Sequence, residues 1–323
     1  MLVRAALLLL MTLGCGPGDN RAGEGKPVES PRASPPASRE AASPSRGPVT
    51  LLERESPYHL VRVTQTGNVR QLQFRRRGTD YDESAINMAQ PLHFELHYYS
   101  LMFAGFAHQP DPKAILFVGL GGGTLPMAMQ HYFPQARIDA VELDPVVVSA
   151  ARQFFGFREN DRLKVFVRDG RVQLRQFTRE NKRYDIVFLD AFRGGFIPYH
   201  LTTREFMEEV KELLSVEGVV VSNLQPGFES YHYQRRTLAA VFRNQWSYGE
   251  GGNVIVVADA RRNPPTRSQL VANAARLQRE KAFVSFDLPA IIREVAQNGY
   301  EREGPILTDD YAPADVLRSI PRE

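Results

Sequence analysis

Ala114–Pro145, AILFVGLGGGTLPMAMQHYFPQARIDAVELDP, reads as a strand, a glycine turn, a helix and a second strand that ends in carboxylates. Ala114–Val118 is a short apolar run without polar alternation, as in a strand covered on both faces of a parallel sheet. Gly119, Gly121, Gly122 and Gly123 interrupt it, and they let the backbone take positive φ and approach a ligand with no Cβ in the way. Thr124–Tyr132 supplies the helix, with Pro126 tolerated in its first turn, and Ile138–Leu143 supplies the next strand. Glu142 closes that strand roughly twenty residues past the glycines, the position from which an acid accepts both hydroxyls of a ribose. The competing account is a tight strand-to-helix turn with Glu142 merely solvated.

The pattern continues downstream. A helix over Val146–Phe155 follows Pro145, then strands at Leu163–Val167, Tyr184–Leu189, Gly218–Leu224 and Asn253–Asp259, with a helix over Thr202–Leu214 capped by Thr202 or Thr203. Strands alternating with helices imply a doubly wound, mostly parallel sheet. Three consecutive strands end in an acid, Glu142, Asp169 and Asp190, at the edge where open α/β sheets bind ligands. Upstream, Leu51–Phe74 alternates as two or three strands with a turn at Thr66-Gly67-Asn68, and Ser84–Ala107 reads as a helix with Leu92, Leu96, Tyr99 and Phe103 on its core face.

With 323 residues, 43% hydrophobic and 24% charged, the chain has the composition of a globular protein with a substantial core. The net charge of +3 and the isolated triplet Arg75-Arg76-Arg77 give no nucleic-acid footprint. A single cysteine excludes an intramolecular disulfide and a thiolate metal cluster. His93 and His97 lack the glutamate placement of a zinc protease, so no metal is expected.

Residues 1–14, MLVRAALLLLMTLG, carry an early arginine and an apolar block too short to span a bilayer, as in a secretory signal. The placement of Cys15 directly after Gly14 resembles a bacterial lipoprotein signal, although Thr12 stands where that motif usually has leucine. The expectation is an exported protein held in the bacterial envelope by a lipid on Cys15; an ordinary signal peptide, or a mis-assigned start that leaves the protein cytoplasmic, are the alternatives. Residues 15–49 are rich in Pro, Ser, Gly and charge and form a tether. The remainder divides into 50–110, a β-hairpin domain plus helix, and 111–323, a nucleoside-binding domain.

Taken together, SPYHLVRV, ILFVGLGGGTLP, VELDP, VRDGR, YDIVFLDAF, HLTTREF and LTDDYAP, in this order over Ser56–Leu317, resemble the spermidine synthase (polyamine aminopropyltransferase) family. The resemblance implies a Rossmann-like class I S-adenosylmethionine-methyltransferase fold behind a small N-terminal β-domain, and decarboxylated S-adenosylmethionine as donor. By position, Gly119, Gly121, Gly122 and Gly123 would line the nucleoside, Glu142 would hold the ribose, Asp169 with Gly170 would meet the adenine amino group, and Asp190 would be the catalytic base. The resemblance implies a small-molecule amine or other acceptor, and an assembly of two or four copies, a homodimer among them.

Three departures bear on the substrate. Gly121 stands where the family carries an aspartate, Arg193 follows Asp190 where a second acid is usual, and His59 replaces a glutamine. Losing two carboxylates and gaining a guanidinium makes a pocket hostile to a diamine. Either the acceptor differs, or the donor is S-adenosylmethionine itself with Arg193 on its carboxylate, unless Arg193 is a plain surface residue. Export raises the same question, since neither donor is expected outside the cytoplasm. The readings are an aminopropyltransferase, a methyltransferase on the same scaffold, and a surface lipoprotein that binds nucleosides without turnover.

Overall fold

The computed structural model describes residues 47–76, 78–249, 251–294 and 304–311. The expected signal, Cys15 and nearly all of the tether lie outside the described residues, as does Leu317 at the far end of the family-like span. Among the described residues, no helix is long and apolar enough to cross a membrane.

Four strands come first: β1 (Val49–Glu55), β2 (Leu60–Thr66), β3 (Val69–Arg76) and β4 (Thr79–Asn87), paired antiparallel in chain order. Gly67, at φ +57°, makes the tight turn between β2 and β3. Alternation sends Val61, Val63, Leu72, Phe74 and Ile86 to one buried face. The pairing of β3 with β4 slips by one residue: Leu72 faces Ser84 while Gln73 faces Asp82, which leaves Glu83 as the extra residue of a β-bulge.

The helix expected over Ser84–Ala107 is a strand followed by two short helices. Ser84, Ala85 and Ile86 pair with Leu72, Gln71 and Arg70, and helical structure begins only with α1 (His97–Met102) and α2 (Ala104–His108). Pairing with β3 outweighed the apolar spacing, although Leu92, Leu96, Tyr99 and Phe103 do pack into the core as anticipated.

The second sheet is built from β5 (Ala114–Val118), α3 (Thr124–Tyr132), β6 (Arg137–Glu142), α4 (Pro145–Phe154), β7 (Leu163–Val167), α5 (Gly170–Arg179), β8 (Tyr184–Leu189), α6 (Arg204–Leu213), β9 (Leu214–Leu224), α7 (Ser230–Val241), β10 (Asn244–Tyr248), β11 (Val254–Asp259), α8 (Arg267–Lys281) and α9 (Leu288–Glu294). Its strand order is β10-β11-β9-β8-β5-β6-β7; the five strands from β9 to β7 are parallel and the β11-β10 end is antiparallel. The order reverses at β5, whose neighbours are β6 and β8, so a crevice opens at the carboxyl ends of those three strands. β10 was not anticipated.

Apolar residues of α1, α2, α3, α8 and α9 cover one face of this sheet, and those of α5, α6 and α7 cover the other. Helix α4 joins the two sheets: Val148 and Ala151 enter the large core, while Val147 and Ala150 pack on the N-terminal sheet. Asp144 caps α4 by accepting from Val146 N at 2.8 Å.

The motif LTDDYAP begins with a structural clamp. Arg171 donates from Nη1 and Nη2 to the two carboxylate oxygens of Asp309, each at 2.7 Å, and from Nη2 to Glu209 at 2.9 Å. Thr203 Oγ1 donates to Asp309 at 2.8 Å, and Arg204 N to Leu307 O at 2.8 Å. This ties 304–311 to the start of α6 and the loop before it. Arg171→Met, which leaves both carboxylates without their shared guanidinium, is expected to lower the unfolding free energy by about 2–3 kcal/mol in a denaturant titration and to expose the C-terminal segment to limited proteolysis.

Candidate active site

The turn after β5 is held against its neighbours by backbone contact. Gly119 N donates to Val141 O and Asp190 N to Val118 O, both at 2.9 Å. Gly119 has φ +100°, and a Cβ there would lie 2.3 Å from the Asp190 carbonyl oxygen. Gly121, at φ +55°, faces Ser84. The other two glycines have a different cause. The α-carbons of Gly122 and Gly123 face the rings of Phe155 and Phe157, at 2.6 and 2.4 Å from where a Cβ would sit, so packing requires them, and the residues lining the cleft include Gly119 and Gly121 instead.

That cleft brings together Glu142, Asp169, Gly170 and Asp190 with His59 and Arg193. Glu142 accepts from Leu120 N on one oxygen and from Asp144 N on the other, each at 3.0 Å. Burial raises its pKa, against the pull of those two amides. Its carboxylate is therefore fixed in direction by main chain while it borders the cleft, which suits an acceptor of paired hydroxyls.

Asp169 has two engagements. It caps α5 by accepting from Val172 N at 3.0 Å, and its other oxygen lies 3.0 Å from His200 Nε2. The His200 contact holds its carboxyl below the ordinary value, outweighing burial. The capping role of a strand-end aspartate is thus present alongside its place in the cleft.

Asp190 accepts from Asn223 Nδ2 at 2.9 Å and from the Tyr98 hydroxyl at 3.4 Å. Asn223 is itself oriented by Asn253 Nδ2, which donates to its Oδ1 at 2.9 Å. Burial pushes the Asp190 carboxyl up to about 6, with the two hydrogen bonds opposing. This is the range in which a carboxylate exchanges protons near neutral pH.

His59 stacks on Phe74 with ring centroids 3.6 Å apart, and its Nε2 lies 3.2 Å from the buried Asp144. Burial raises the Asp144 pKa, but the contacts from His59 and Ser56 and the Val146 amide bring it below the ordinary value. Arg193 donates to the Tyr58 carbonyl at 3.1 Å, with its guanidinium 5.8 Å from the Tyr58 ring centre, and so closes the loop after β8 onto the N-terminal sheet.

A second cavity adjoins the first and shares Glu83, Tyr98 and Asp190 with it. Neither Glu83 nor Tyr98 is singled out by the sequence, since Glu83 falls between the strands expected over Leu51–Phe74 and the helix expected over Ser84–Ala107, and Tyr98 falls inside that helix. The loss of acids inferred at Gly121 and Arg193 is accordingly incomplete: β4 brings another carboxylate to the site. Burial and the nearby Asp190 push the Glu83 carboxyl up to about 8, while the Gly194 amide, donating to it at 3.0 Å, opposes the rise. Among the described residues, no group of three or more His, Cys, Asp or Glu is arranged to hold a metal. Asp190 thus borders both cavities.

Comparison with known proteins gives four further findings. Residues 95–250 match the family described as spermine/spermidine synthase domain. A polyamine aminopropyltransferase of Vibrio vulnificus is 31% identical over 282 residues, 85% of this chain and 93% of the relative. Among solved structures, a probable spermidine synthase from Corynebacterium glutamicum has a TM-score of 0.62 at 20% identity, over 81% of this chain and 97% of its own, a likeness of fold. Human methyltransferase-like protein 13 in complex with SAH has a TM-score of 0.53 at 26% identity, over 69% of this chain and 100% of its own.

The raised carboxyl of Asp190 has a thermodynamic consequence. The folded chain keeps a proton that the unfolded chain has released, so this contribution to stability is present at low pH and is lost as pH rises through about 6. Asp190→Asn, which removes the buried charge and can still accept from Asn223, is expected to match the wild type in Tm near pH 4 and to exceed it by several degrees at pH 7.5. A Tm difference that does not change with pH would show that Asp190 ionises normally.

Proposed function

The chain belongs to the spermine/spermidine synthase family of transferases, and on that premise we propose that it moves the aminopropyl group of decarboxylated S-adenosylmethionine to an amine, with Asp190 as the base. The observation that carries this reading is Asp190 itself, set where two cavities meet, oriented by Asn223 and Tyr98, and bordered by the glycine turn. In the first cavity Glu142 takes the ribose hydroxyls and Asp169 with Gly170 borders the purine.

Electrostatics favours the decarboxylated donor over the intact one. Glu83, Glu142, Asp144, Asp169 and Asp190 all line the cleft, against the single guanidinium of Arg193, which is already donating to the Tyr58 carbonyl. A donor tail that ends in an ammonium group is attracted to such a site, whereas an added α-carboxylate is repelled.

The reaction is an in-line displacement. The lone pair of the acceptor nitrogen attacks the carbon beside the sulfonium, the carbon–sulfur bond breaks, and the sulfur leaves as the neutral thioether of methylthioadenosine. The nitrogen gains positive charge as the bond forms and passes its proton to Asp190. A half-buried carboxylate stabilises that charge and then accepts the proton.

Calorimetric titration with the decarboxylated donor, the intact donor and methylthioadenosine tests the reading, together with an assay of aminopropyl product. The decarboxylated donor and methylthioadenosine are expected to bind more tightly than the intact donor. Asp190→Asn is expected to lower kcat by about 10²- to 10⁴-fold. In the wild type, kcat/KM should fall as pH drops below about 6, because protonation removes the base. Methyl transfer from the intact donor without aminopropyl product would contradict the assignment.

Location is a separate proposal, carried by residues 1–15 alone: export and anchoring through a lipid on Cys15. Cells given labelled palmitate should label the wild type and leave Cys15→Ser unlabelled; labelling of the variant would remove the anchor.

A further inference from the structure

Glu83 is the extra residue of the bulge in β4, where Leu72 pairs with Ser84 and Gln73 with Asp82. A bulge breaks the strict alternation of side chains and re-aims the residue it adds. Asp82 is exposed, accepts from the side-chain amides of Gln71 and Gln73 at 2.9 and 2.8 Å, and borders the second cavity alone. Glu83 instead turns into the site, where it lines both cavities beside Asp190.

The bulge is fixed in place. The Tyr99 hydroxyl lies 2.6 Å from Ser84 Oγ, and Ala85 N donates to the same hydroxyl at 3.4 Å. Gly194 N donates to Glu83 Oε1 at 3.0 Å. A second carboxyl is therefore held rigidly at the junction. The second cavity also offers the side-chain amides of Asn223, Gln225 and Asn253, and neither lysine nor arginine lines it.

Two carboxyls held close together in a half-buried site repel each other when both are charged. A cation entering between them removes that penalty, and an alkylammonium group is the cation that suits a cleft with aromatic walls from Tyr81, Tyr98 and Phe192. We propose that Glu83 is the residue that binds the acceptor: with Asp190 it holds the ammonium group of an alkyl diamine at the mouth of the second cavity and so selects charged amines over neutral nucleophiles. The proposal rests on the aminopropyl-transfer reading for the class of occupant, and on the bulge for the residue.

The bland alternative is that Glu83 only fastens the loop after β8 through Gly194. Glu83→Gln separates the two, because the glutamine carbonyl still accepts from Gly194 while the charge is gone. The full chain, saturated with methylthioadenosine, is titrated with 1,4-diaminobutane by calorimetry, which requires no turnover. The wild type is expected to bind, Glu83→Gln to bind at least tenfold more weakly, Glu83→Asp to recover most of the loss, and all three to bind methylthioadenosine within twofold of one another. Diamine affinity in Glu83→Gln within twofold of wild type, absence of diamine binding by the wild type, or loss of methylthioadenosine binding in Glu83→Gln would each overturn the proposal. Should the diamine bind through Glu83 while the decarboxylated donor gives no product, the acceptor site stands and the transfer reading falls.

Discussion

The carbonyl oxygen of Asp190 sits 2.3 Å from the point where a β-carbon on Gly119 would be, and the rest of the site follows from that absence. A side chain at this position would push the end of β8 away from the turn after β5. With it would go the alignment of Asp190 with Leu120, whose amide directs Glu142. One missing methyl group thus sets the spacing between the acid that suits a ribose and the acid that suits a proton transfer. The positive φ of Gly119 makes the same demand from the backbone side.

The small sheet completes what the large sheet begins. Helix α4 divides its apolar residues between the two cores, so the N-terminal strands are packed against the element that follows Glu142. Through that packing, His59 reaches Asp144 and Glu83 reaches the neighbourhood of Asp190. Buried carboxyls with raised pKa values are costly to a folded protein, and their concentration at one crevice is the mark of a functional site. The clamp of Arg171 on Glu209 and Asp309, by contrast, is an ion-pair network whose groups are satisfied by one another, and its part is to hold the chain end.

Much of this was legible from residue patterns. The strand Ala114–Val118 is apolar throughout, Leu163–Val167 and Tyr184–Leu189 are interrupted only by Lys164 and Asp185, and the acids that close the parallel strands follow from knowing where those strands stop. Glu83 was not legible, because a bulge is a property of the pairing between β3 and β4 and leaves no periodicity of its own. Tyr98 was hidden in a stretch whose apolar spacing suited one long helix. Strand β10, NQWSY, carries no apolar run to mark it; its buried Asn244 donates to Asp259 and its buried Gln245 accepts from Arg235, which satisfies them inside the protein. The four glycines looked alike in sequence, yet two serve the cleft and two serve the packing of Phe155 and Phe157.

A crystal structure with methylthioadenosine bound is the most direct test of a shared cleft at the ends of β5, β6 and β8. Both ribose hydroxyls should lie within hydrogen-bond distance of Glu142, the purine beside Asp169 and Gly170, and the sulfur toward Asp190. A nucleoside bound elsewhere on the chain, or a cleft that stays closed by its own side chains at saturating ligand, would contradict that convergence.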